Sequence, residues 1–100
     1  MKVSELEGAA LDYWVARANG KNPAIADVVS QVAHYSTNAV AAVRIIERER
    51  LVISPLDNED GWIVAHSRDG FGSKSMTGPT LLIAAMRCFV ASKYGEEVKE

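Results

Sequence analysis

Apolar residues recur every four positions near the start of the chain, at Leu6, Ala10, Trp14 and Ala18, flanked by Leu11 and Val15. That spacing lays one apolar stripe along a helix, the face that has to be buried. Ser4-Glu5-Leu6-Glu7 reads as a capping box, with Ser4 as cap and Glu7 reaching back to it. Asn19-Gly20 supplies a left-handed stop. The pattern therefore predicts a helix from Ser4 to Asn19. From Pro23 to Ala33, the positions Ile25, Val28, Val29 and Val32 keep helical spacing and predict a short helix, against the strand preference of their β-branched side chains. The turn-forming run His34-Tyr35-Ser36-Thr37-Asn38 interrupts the pattern, with Ser36 or Thr37 placed to cap the next helix. Ala39 to Arg50 predicts that helix, its apolar positions at Val40, Val43 and Ile46 and its exposed side alternating in charge from Arg44 to Arg50.

Leu51-Val52-Ile53 and Trp62-Ile63-Val64-Ala65 are strand patterns, and the turn formers from Pro55 to Gly61 predict an antiparallel hairpin. Ser67 to Ser75, with Gly70 and Gly72, reads as loop. Gly78-Pro79-Thr80 opens a last helix with proline in its first turn. Leu82, Met86, Phe89 and Val90 form the buried stripe of that helix, Gly95 stops it, and Lys93 complements its negative end. The expected fold is a single small α+β domain over 1–95, with N- and C-terminal amphipathic helices packed on a short antiparallel hairpin or sheet. Residues 96–100 are expected to form a frayed tail.

Composition narrows the function classes. A chain of 100 residues with 48% hydrophobic and 24% charged content is suited to one folded domain. So small a domain buries a modest share of its surface, which favours association with further copies. The net charge of −2 lacks the basic excess of a duplex nucleic-acid binder. No apolar run approaches a bilayer span, so a cytoplasmic protein is expected. The single cysteine, Cys88, excludes an intrachain disulfide framework and a cysteine-rich zinc site, and reads as a buried small hydrophobe.

Several stretches resemble the NinX-like phage proteins, small products of the accessory regions of lambda-like bacteriophage genomes. They are the opening Met1 to Ala16, the segments Tyr35-Ser36-Thr37-Asn38 and Ile45-Ile46-Glu47-Arg48-Glu49, the residues Trp62 and Ala65, and the closing Gly78 to Lys93. The resemblance runs from one end of the chain to the other. It implies a phage origin and expression in the cytoplasm of a host bacterium, without fixing a biochemical activity. The family pattern places tryptophan, glutamine, two glycines and a proline between the serine-threonine stretch and the paired isoleucines. This chain has Ala39, Ala41, Ala42, Val43 and Arg44 there, a good helix sequence in place of a bend.

Candidate chemistry is sparse. His34 and His66 are the strong candidate bases, and no arrangement of nucleophile, base and orienting group accompanies them. The carboxylates Glu47, Glu49, Asp57, Glu59 and Asp60 have no spacing that demands a metal. Non-enzymatic action without cofactor or metal is therefore expected. For ligand binding, Trp14 with Arg17, and Trp62, offer aromatic faces of the kind that hold nucleobases, or else they belong to the core or a self-association surface. Arg48 lies in the matched glutamate-arginine segment, and Arg87 stands out inside an apolar helix, where a solvent-facing position accounts for it equally well. Thr80 sits where free helix amides favour an anion, or at an ordinary helix start, and Tyr35, Ser36 and Thr37 add hydroxyls.

Two functions are expected. The first is an anti-defence phage accessory protein that binds and sequesters a small nucleotide-derived signalling molecule, without catalysis, at a pocket completed by a homo-oligomer. The second is a protein-binding module that inhibits or redirects a host factor through the charged run Arg44 to Arg50 and the acidic loop Asp57 to Asp60.

Overall fold

The computed structural model describes residues 2–18, 38–57, 60–68, 70 and 75–98. The helix expected from Pro23 to Ala33, with His34, Tyr35, Ser36 and Thr37, lies outside them. The described residues form a 3₁₀ turn, Val3–Glu5, and helices α1 (Gly8–Ala18), α2 (Ala39–Glu49) and α3 (Leu81–Tyr94). Strands β1 (Leu51–Pro55), β2 (Trp62–His66) and β3 (Met76–Gly78) complete the architecture. It is an α+β fold, in agreement with the hydrophobic pattern.

Helix α3 is the organising element. Ala84 to Ala91 are all buried, the signature of a helix surrounded on every side rather than laid on a surface. The sheet packs against it through β2 and β3, while α1 and α2 pack beside it. Leu82 of the expected stripe is only half-buried, whereas Met86, Phe89 and Val90 are enclosed as expected. Phe89, Leu6, Leu11 and Ile45 are among the largest fully buried side chains, each contributing roughly 1.5–3 kcal/mol of transfer free energy.

The sheet is an antiparallel meander in the order β1-β2-β3. Its register pairs Ile53 with Val64 and Val64 with Met76, placing these three apolar residues in one row. The Leu56 amide donates to the Gly61 carbonyl at 3.1 Å and closes the expected hairpin. Strand β3 has no counterpart in the sequence pattern. Met76-Thr77-Gly78 is too short to alternate visibly and has turn formers on both sides. Residues 69 and 71–74 of the expected loop lie outside the described ones.

Helix ends depart from the sequence expectation in informative ways. The Ser4–Glu7 capping box does not form, because Ser4 lies inside the 3₁₀ turn and α1 starts at Gly8, whose φ is +57°. Asn38, not Ser36 or Thr37, caps α2, its side-chain oxygen accepting from the amides of Val40 and Ala41 at 3.1 and 3.3 Å. Replacing Asn38 by alanine should cost about 1 kcal/mol, readable as a lowered midpoint in thermal circular dichroism. An unchanged midpoint would show the cap to be dispensable. Thr80 caps α3 by accepting from the Ile83 amide at 3.2 Å. Pro79 therefore stands before the cap and not in the first helical turn.

The buried side of α2 also differs. Ala42 and Ile45 face the core with Ala41 and Ile46 beside them, whereas Val40 and Val43 are 68% and 47% exposed. Two alanines let α2 lie close to α3, where β-branched side chains would hold it away. The tail is held rather than frayed as far as Val98. The Val3 amide donates to the Glu96 carbonyl at 2.8 Å, Lys2 and Glu97 form a bridge, and Val98 is buried. Among the described residues, no helix is long and apolar enough to cross a membrane.

Candidate functional site

The residues singled out from the sequence are spread along α3 rather than gathered at one point. At the N-terminal end of α3, Thr80 is occupied as the helix cap. Trp62 is half-buried there, paired across the sheet with Pro55 and Gly78. At the other end, Trp14 meets Tyr94 edge-on, with ring centroids 5.4 Å apart. Fourteen residues of helix separate the two ends, about 20 Å at the usual rise. One small ligand does not touch both.

Arg87 lies between these ends and does not face solvent. It is 8% exposed. Its Nε donates to the Leu6 carbonyl at 2.8 Å and its NH1 nitrogen to the Thr77 carbonyl at 2.9 Å. Burial pushes the guanidinium below its ordinary pKa, and the nearby Glu7 carboxylate acts in the opposite direction. The planar fork ties the segment before α1 to β3, with α3 as the post between them.

Trp14 is only 9% exposed, and its surroundings explain why. Tyr13 packs edge-on at 5.4 Å, Tyr94 closes another side, and the Arg17 guanidinium lies 5.0 Å from the ring centroid. Arg17 also donates to the Tyr13 hydroxyl at 3.4 Å. The indole already has a cation and two aromatic neighbours, leaving little ring for a nucleobase. The exposed members of this cluster are Arg17 and Tyr94.

Arg48 belongs to a different neighbourhood. Its guanidinium sits 5.5 Å from the centroid of the buried Phe89 ring, and its Nε donates to Glu49 Oε2 at 3.1 Å. Lys93 approaches the same ring at 5.8 Å. Next to Arg48 is an open surface recess of about 350 Å³, lined by Arg44, Glu47, Arg48 and Arg50. Three arginines thus line one concavity of a chain whose net charge is −2.

Local sequence positions this group. Arg44, Glu47 and Arg48 are three and four residues apart on α2, the spacing that places side chains on one helical face. Arg50 ends the helix in the left-handed conformation, φ 56° and ψ 51°, with its amide donating to the carbonyls of Ile46 and Glu47. That position ordinarily goes to glycine, and a side chain there costs roughly 1–2 kcal/mol. Arg44 and Arg50 are missed as ligand-binding candidates when the run Arg44 to Arg50 is read as a protein-contact surface of alternating charge. The helical spacing is the available signal for Arg44; the left-handed turn that brings in Arg50 has none.

The remaining reactive groups among the described residues lie elsewhere. His66 Nε2 lies 3.7 Å from Glu49 Oε1, and its Nδ1 accepts from the Arg68 amide at 3.4 Å. Cys88 is buried in α3. Among the described residues, no three or more histidine, cysteine, aspartate or glutamate side chains are grouped to hold a metal ion. Tyr35, Ser36 and Thr37 lie outside the described residues.

The family model described as Bacteriophage P22, NinX matches residues 2–93. A search of curated proteins returned no match.

Proposed function

The chain belongs to the bacteriophage P22 NinX family, and we propose that it binds and sequesters a small nucleotide-derived anion, without catalysis, in the cytoplasm of the infected bacterium. The observation that carries this reading is the recess of Arg44, Glu47, Arg48 and Arg50. Its volume of about 350 Å³ falls at the lower end of the range for small-molecule sites. Guanidinium groups are the side chains best matched to phosphate oxygens, each offering a planar pair of donors.

Two features of the protein's own energetics support an anion there. Arg44 and Arg48 are like charges four residues apart on an exposed helix face, a pairing that destabilises an isolated helix by about 0.2–0.5 kcal/mol. Arg50 adds the backbone strain of a left-handed arginine. A bound phosphate offsets the repulsion and gives the strained arginine a partner. The recess is open to solvent, and a second copy of the chain closing over it would bury more of the ligand.

A thermal-shift series against adenine-based and cyclic nucleotides tests the reading. A ligand at a hundredfold excess over its Kd should add about 2.7 kcal/mol of stability. Arg44→Ala and Arg48→Ala should abolish that shift. Arg50→Gly should raise the midpoint of the unliganded protein while weakening the ligand's effect, because it trades a guanidinium for a relaxed backbone. No shift with any nucleotide, in folded protein, would overturn the proposal.

One observation favours the protein-binding alternative. Val40 and Val43 share an exposed face of α2, the same helix that carries the arginines. A host protein held there would contact apolar and charged groups together. Capture of a host factor that Val43→Asp abolishes and Arg48→Ala spares would support this alternative.

A further inference from the structure

Glu47 is the odd member of the recess. It is the one carboxylate residue among the described lining residues and shares the lining with three arginines. Its spacing from Arg44 would permit an ion pair, yet among the described residues its carboxylate enters none. The described ion pairs join Arg48 with Glu49 and His66 with Glu49, and Glu47 contributes only its backbone carbonyl, to the Arg50 amide. Arg44 and Arg50 likewise form no ion pair among the described residues.

A recess built only to attract anions gains nothing from such a carboxylate, which repels every ligand oxygen brought near it. An ionised carboxylate is a pure acceptor, while guanidinium groups are pure donors. The lining therefore offers both halves of a hydrogen-bonding pattern. Its complement is a molecule with anionic oxygens at one end and N–H or O–H donors at the other. A nucleoside phosphate has this chemistry, with phosphate oxygens for the arginines and ribose hydroxyls or an exocyclic amine for the carboxylate. Inorganic phosphate and pyrophosphate offer no donors beyond the protons of their own acid groups.

We propose that Glu47 is a specificity residue, accepting a hydrogen bond from the nucleoside part of a nucleoside phosphate held by Arg44, Arg48 and Arg50, and repelling phosphates that carry no nucleoside. The inference rests on the anion-binding reading of the recess and assigns its ligand class. The penalty on a bare phosphate is of the size of an exposed charge–charge interaction, and the gain for a nucleoside phosphate is that of a charge-assisted hydrogen bond.

Titration calorimetry with two probes, ADP and inorganic pyrophosphate, tests it, since both carry a diphosphate and only ADP adds hydroxyl and amine donors. The unaltered protein should bind ADP more tightly. Glu47→Leu should weaken ADP by about tenfold or more, the loss of one hydrogen bond to a charged group. The same variant should tighten pyrophosphate by about two- to fivefold, the removal of one exposed like charge. Glu47→Gln, which keeps an acceptor oxygen but no charge, should tighten pyrophosphate equally and weaken ADP less. The position is exposed on a helix, and circular dichroism confirms that each variant folds. An ADP-to-pyrophosphate ratio left unchanged by Glu47→Leu, with Arg48→Ala still abolishing both, would overturn this inference and leave the anion site standing. Absence of binding by either probe, with Arg44→Ala and Arg48→Ala equally silent, would overturn both.

Discussion

Arg87→Met should lower the unfolding free energy by about 2–4 kcal/mol, because two hydrogen bonds from a charged donor are lost, one of them buried and one part-buried. The methionine fills much of the vacated volume, so a cavity is not the cause. The carbonyls of Leu6 and Thr77 lose the guanidinium that both accept from, at 2.8 and 2.9 Å. For a domain of this size the loss corresponds to a fall of roughly 10–25 °C in Tm. Arg87→Lys should recover little of it. An ammonium is a compact point charge and does not reproduce the planar fork that reaches both acceptors. Full stability in Arg87→Lys would show that charge alone matters there and that the fork does not.

The second large effect is expected where two glycines stack the hairpin turn, β3 and the start of α3. A methyl group on Gly78 would meet the Ala84 backbone nitrogen at 2.7 Å and its Cα at 3.0 Å. Backbone atoms of a central helix cannot step aside as a side-chain tip would, so Gly78→Ala should cost about 1–3 kcal/mol. Gly61 has φ +127°, and a methyl group there would meet the Gly78 carbonyl oxygen at 2.8 Å. Backbone strain of about 1–3 kcal/mol adds to the steric cost, so Gly61→Ala should be the more damaging. Together the two changes should depart from the sum of their separate costs, because both clashes act on Gly78. Urea denaturation of the two single variants and the double variant measures this directly. Strict additivity would mean that the two sites yield independently.

The hydrophobic pattern carries the α+β class, the hairpin and the approximate places of all three described helices. Strand partners are legible because Leu51-Val52-Ile53 and Trp62-Ile63-Val64-Ala65 are dense in β-formers and separated by turn residues. Local patterns fail where a distant partner decides. Arg87 looks solvent-facing in one dimension, and only the carbonyls of Leu6 and Thr77, far away along the chain, make its burial tolerable. Val40 and Val43 look like core, but the closeness of α2 to α3 selects the smaller Ala42 with Ile45.

The same holds for the candidate site. Trp14 and Arg17 do come together, yet as a closed aromatic cluster rather than an open platform. Among the described residues, Arg48 is the one ligand-binding candidate from the sequence that lines the recess. Its companions Arg44, Glu47 and Arg50 are visible as surface charge, but convergence on a concavity depends on where α2 ends. That end is a left-handed residue which no composition or spacing announces.

The central position of α3 has a consequence for how the protein comes into being on the ribosome. Every other described element packs on a helix that begins at Leu81. Until that stretch emerges, α1, α2 and the sheet lack the described element that covers their apolar faces, and the nascent chain leaves those faces exposed. Its core contacts bridge long sequence separations, which slows folding and lengthens exposure to aggregation. Folding of the described elements is thus withheld until Leu81–Tyr94 has emerged, and a ribosome stalled before Leu81 leaves a chain fit for chaperones or proteases rather than a partly formed domain.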